Sequence, residues 1–160
     1  ETIARRQVLR DPLDLWARVE LGYFEDNADE IRAMFGGKPE NYLDVVCAYM
    51  EAGFYEDALR LIELARSDYP LIAYYRAHIL HLLGRGEESA DALSSAARNG
   101  KLCFPARLED IAVLRDAITR NGADANACYD LGNLFYDRSH HLARSTPGCP
   151  EINQYRFFCL

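Results

Sequence analysis

Long apolar runs are missing from this 160-residue chain. The longest falls far short of the roughly 20 residues that span a bilayer, which excludes a helical membrane partner segment. The amino end, Glu1-Thr2-Ile3-Ala4-Arg5-Arg6, is followed by no apolar stretch of the kind a signal peptide needs. The chain opens on Glu1 rather than Met, which sets the expectation of a piece of a larger protein. An excess of positive charge is missing too. Lysine and arginine number 18 against 25 acidic residues, a formal net charge of -7. A phosphate-backbone binder needs a basic face, so a nucleic acid partner is not expected. Lysine itself is nearly absent, at Lys38 and Lys101 alone. With no basic cluster, the preference for arginine reflects codon composition more than phosphate binding.

Paired cysteine motifs are absent as well. Cys47, Cys103, Cys128, Cys149 and Cys159 are odd in number, and no two stand in the C-x-x-C spacing of zinc or redox sites. Scattered thiols of this kind behave as small buried apolar groups in a reducing compartment, so the expected location is cytoplasmic. The spacing permits a Cys149–Cys159 disulfide without demanding one. Alternating β-branched runs are almost absent, and helix-period spacing covers most of the chain. The expectation is one domain, all-α.

Two amphipathic helices are clearest between Asn41 and Pro70. Tyr42, Val45, Val46 and Tyr49 recur on the first, and Ala58, Ile62 and Ala65 on the second. Gly53 supplies the turn between them, and Pro70 is expected to end the second helix. A second pair turns at Gly84, with Ala73, Ala77 and Leu80 before it and Ala90, Leu93 and Ala97 after it. A further helix spans Ala106 to Asn121, with Leu108, Ile111, Leu114 and Ile118 on one stripe. Cys128, Leu131, Gly132 and Phe135 mark another, expected to open a new pair. Near the start, Asp11-Pro12 is expected to open a helix carrying Trp16, Val19 and Tyr23. Gly36-Gly37-Lys38 has no strand before it, so it reads as a helix link and not a phosphate loop.

Tyr42-x-x-Val45-Val46-x-x-Tyr49, then Ala58-x-x-x-Ile62, then Pro70, resembles the tetratricopeptide repeat (TPR) signature. Cys128-x-x-Leu131-Gly132-x-x-Phe135 resembles its first half. The resemblance covers roughly residues 12 to 140 and implies a right-handed α-α superhelix, a TPR-like solenoid of about three to four helix pairs. It places a helical repeat domain at 1–140 and an irregular segment at 141–160. That segment carries Pro147, Pro150, Tyr155, Phe157 and Phe158 and is expected to fold back as a cap, since an open end of such an array needs cover. The phrases Asp11-Pro12-Leu13-Asp14-Leu15-Trp16, Cys103-Phe104-Pro105 and Leu131-Gly132-Asn133 also resemble a bacterial group. Its members join a β-rich domain of unknown function to such repeats.

In TPR arrays the first helix of each pair lines a concave groove. Carried onto this sequence, the inward positions are Ala17, Leu21 and Phe24, then Leu43, Cys47 and Met50. Tyr74, His78 and His81 follow, then Tyr129, Asn133 and Tyr136. Such an aromatic, weakly charged groove suits a peptide or protein segment. Ala58 and Gly132 are expected at close helix contacts.

Catalytic arrangements are hard to find. His78 and His81 share a helix face, but a metal site needs a third ligand that the register does not supply. A Cys47 dyad with either histidine would need an orienting group and an oxyanion site. Glu87-Glu88 and Glu109-Asp110 suit helix amino ends. The expected function is therefore a non-enzymatic interaction scaffold without cofactor or metal. The alternative is a structural or oligomerisation appendage, such as a homodimer, of a larger and carbohydrate-directed bacterial enzyme.

Overall fold

The computed structural model describes residues 2–99, 101 and 103–144, with side chains described through residue 136. Every regular element among them is an α-helix. In chain order these are α1 (Thr2–Arg10), α2 (Leu15–Phe24), α3 (Ala28–Met34), α4 (Pro39–Glu51), α5 (Tyr55–Ala65), α6 (Pro70–Leu82), α7 (Gly86–Arg98), α8 (Leu108–Arg120) and α9 (Ala125–Arg144). None of the described helices is long and apolar enough to cross a membrane. The expected cap over 145–160, with its Cys149–Cys159 spacing, lies outside the described residues.

Local chemistry sets the helix boundaries. Pro12 sits in a turn, and α2 opens three residues later, because the Asp14 side chain accepts the Ala17 N–H at 2.9 Å. Asn27 caps α3 in the same way through the Glu30 N–H. Pro39 and Pro70 stand in the first turns of α4 and α6, where no N–H is needed. Pro70 therefore begins a helix; α5 has already ended at Ala65, with Arg66 in the left-handed conformation. Gly53 and Gly84 take positive φ of 81° and 75° at the α4–α5 and α6–α7 turns.

Consecutive helices pack as pairs: α2 with α3, α4 with α5, α6 with α7, and α8 with α9. α9 is the second member of the last pair and does not open a new one. Buried apolar side chains from Val19 to Ala127 form one cluster. α6 is its centre, touching α4, α5, α7 and α8, and it buries Leu71, Tyr75, Ile79 and Leu80 completely. Burial of each such side chain stabilises by about 1.5–3 kcal/mol. The closest backbone approach is at Gly22, where a Cβ would lie 2.6 Å from Ile31 Cγ1 of α3. Gly132, by contrast, has nothing within 4 Å of that position, so it is not a close-contact glycine. Ala58 is fully buried.

Candidate functional site

The groove positions separate into buried and open groups. Leu43 and Tyr74 are at most 1% exposed, and Cys47 is buried too. Met50, His78 and Asn133 are half-buried, while His81, Phe24, Tyr129 and Tyr136 are exposed. No common groove lined by all ten therefore exists. The cause is a set of polar braces that draws the α8–α9 pair onto α4 and α6. Tyr75 donates to Asp110 Oδ1 at 2.6 Å, with Cys47 Sγ 3.4 Å from the same hydroxyl. Asp110 Oδ2 accepts the backbone N–H groups of Ala106 and Arg107. Arg107 in turn donates to Asp44 of α4 at 2.6–2.8 Å and to the Glu40 carbonyl. One residue earlier on α6, Tyr74 donates to Asp124 at 3.0 Å. Asp124 also accepts the Ala127 N–H at the start of α9.

These braces are absent from the sequence expectations, in which Glu109-Asp110 served only the helix end. Asp110, Asp124 and Asp130 are buried. Buried carboxyl groups need donors, and the adjacent tyrosines of α6 and the thiol of Cys103 supply them. Cys103 Sγ lies 2.8 Å from Asp130 Oδ2. Burial, and then the nearby Asp124, push the Asp130 carboxyl above its ordinary value.

The two histidines do not converge on a metal, and no group of three or more ligating side chains that could hold one occurs among the described residues. His78 Nδ1 is 3.0 Å from Asp116 Oδ2 of α8. Arg120 joins the same carboxylate and donates to Ser89 Oγ at 2.7 Å. This network ties α6, α7 and α8 together. Asp116 orients His78, but Cys47 is engaged by Tyr75, so the structure does not build a Cys–His dyad. Burial also pushes the Cys47 thiol up to about 11 and raises Cys103 further, with its hydrogen bond to Asp130 adding to the shift. Both thiols are poor nucleophiles in this state.

The open surface lies at the other end. α1 packs on α2 yet contains no buried residue. Ile3 and Leu9 are each 84% exposed, and Leu13 and Phe24 are exposed as well. Between α1 and α2 lies a cleft of about 400 Å³, lined by Ile3, Ala4, Gln7, Asp14, Trp16, Ala17, Glu20 and Phe24. Its wall is held from behind. The Trp16 and Tyr49 rings lie 4.9 Å apart, and Tyr49 donates to Glu20 at 2.5 Å. Gln7 donates to Asp14 at 2.9 Å. Donation from the Ala17 backbone, then from Gln7, holds the Asp14 carboxyl below its usual value. The cleft lining contains no cysteine, histidine or serine, so it offers apolar contact and hydrogen bonding, not covalent chemistry. Phe24 alone of the groove positions lies here; the others named from the sequence do not. Exposed Ile3 and Leu9, three arginines and no acidic side chain in α1 were the available signal. No family model matches the chain, and neither a curated protein nor a solved structure does.

Proposed function

We propose that this chain is a non-catalytic protein-interaction scaffold, a TPR-like superhelix of stacked helix pairs that docks a peptide or protein segment. The observation that carries the reading is the α1–α2 cleft, with an exposed apolar margin at Ile3, Leu9, Leu13 and Phe24. Large exposed apolar groups clustered around a concavity are characteristic of a docking surface. The succession of helix pairs supports the superhelix, and the raised, buried thiols support a non-catalytic role. The docking surface is the end of the array and not a groove through Leu43, Cys47 and Tyr74, whose side chains are packed in the core.

Trp16 is the sole tryptophan and lines the cleft, so its emission reports occupancy. An uncharged helix-forming peptide, with leucine on one face and glutamine on the other, should blue-shift that emission saturably. Phe24→Asp should abolish the shift while leaving helicity intact. No shift with any amphipathic peptide overturns the reading. A concentration-dependent dimer in light scattering, lost in Ile3→Asp, would instead assign the surface to a second copy and favour the structural-appendage reading.

A further inference from the structure

We propose that the α1–α2 cleft takes an acidic amphipathic segment, its apolar side chains entering the cleft and its carboxylates meeting Arg6 and Arg10. The proposal rests on the docking reading above and adds the partner's charge. α1, with the sequence TIARRQVLR, holds three arginines and no acidic residue, in a chain whose net charge is -7. Arg5 is paired with Glu25 at 2.7 Å. Arg6 and Arg10 are exposed. Their placement is set by helix spacing. Ile3 and Gln7, four apart, line the cleft. Arg6 and Arg10 stand three residues further on from each, and so form the neighbouring row on the same side of the helix. A segment lying in the cleft therefore runs beside both guanidinium groups.

The acids within the cleft do not repel such a segment from this position. Asp14 is occupied by Gln7 and the Ala17 N–H, and Glu20 by the Tyr49 hydroxyl. They line an apolar slot whose walls are Ile3, Ala4, Trp16, Ala17 and Phe24. The arginines stand on the α1 side of that slot. A second copy docked α1 against α1 would oppose like charges, which disfavours a symmetric dimer through this helix.

The test titrates Trp16 emission of the full chain with two helix-forming peptides, leucine–glutamate and leucine–lysine, and with phosphatidylglycerol vesicles. Far-UV circular dichroism confirms that each variant keeps its helices. The leucine–glutamate peptide should bind the wild type at least roughly tenfold more tightly than the leucine–lysine peptide, and more weakly as salt rises. The Arg6→Glu/Arg10→Glu variant should reverse that preference, and Arg6→Gln/Arg10→Gln should erase it. Equal binding of both peptides overturns the acidic partner while leaving the docking cleft standing. A Trp16 shift with vesicles and none with the glutamate peptide overturns it in favour of an anionic lipid surface. No shift with either peptide or with vesicles overturns the docking reading itself.

Discussion

Replacing Asp110 with alanine removes the acceptor shared by three donors. The Tyr75 hydroxyl lies 2.6 Å from it, and the N–H groups of Ala106 and Arg107 lie 2.8 and 2.9 Å from it. Tyr75 is completely buried, so its hydroxyl keeps only the weak Cys47 sulfur as partner. A buried donor left unmade costs about 1–3 kcal/mol. The two backbone donors are part-buried, so water replaces some of what they lose and they fall at the low end of that range. The expected loss is about 3–5 kcal/mol, a large share of the roughly 5–15 kcal/mol available to a domain. Asp110→Asn retains an acceptor oxygen and should lose about 1–2 kcal/mol. Tyr75→Phe should cost a similar amount. Urea denaturation followed by far-UV circular dichroism reads all three, and the double variant completes a cycle. Because the residues share a hydrogen bond, their effects should couple by at least about 0.5 kcal/mol. An Asp110→Ala loss below about 1 kcal/mol, or additive effects, would show that the brace does not hold α8 to α6.

The remaining predictions concern glycines, acid–base behaviour and thiols. Gly22→Ala should destabilise by about 1–3 kcal/mol, because its Cβ drives into the buried Ile31 side chain; Gly132→Ala, in open space on a helix, should instead gain about 0.5–1 kcal/mol, both read from urea midpoints. The Asp130 carboxyl is raised in the folded state, so its contribution to stability is full below the unfolded value and is lost as pH rises through the folded one. Asp130→Asn should therefore be more stable than the wild type at neutral pH, and the difference should shrink as pH falls toward 4, read by thermal melts at several pH values. Cys47 and Cys103 should resist a thiol reagent until urea unfolds the chain. Peptide mapping that found either labelled first, under native conditions, would contradict their burial.

The helix pairs α4–α5 and α6–α7 were legible because each strong signal is local. A 3.6-residue apolar stripe, a glycine at positive φ and a proline in a first turn all act within a few residues. Even there Pro70 misled, since a proline disrupts a helix interior but suits a first turn equally well, and only the α5 end at Ala65 decides between them. α3 was missed because it is short and buries just Ile31 within its span. α1 was missed because it buries nothing. The partner of α9 was misassigned for a different reason. Periodicity gives a helix its apolar face but does not say which neighbour covers it, and Cys128-x-x-Leu131-Gly132 suited either place in a pair. The groove was transferred position by position, yet whether Tyr74 faces solvent depends on Asp124, 50 residues away. Nothing in local spacing encodes that contact.

Arg107 reaches Asp44 across 63 residues of chain and passes over the intervening α6–α7 pair. An array whose units touch only their neighbours can lose its last unit and leave the others as they were. This one is cross-laced, so the units do not fail one at a time. Trimming away α8 and α9 would strand the hydroxyls of Tyr74 and Tyr75 on the middle helix and free Asp44 from its tie. Disassembly from that end has no cheap first step, and the chain is expected to melt in one cooperative transition, with no separable terminal module.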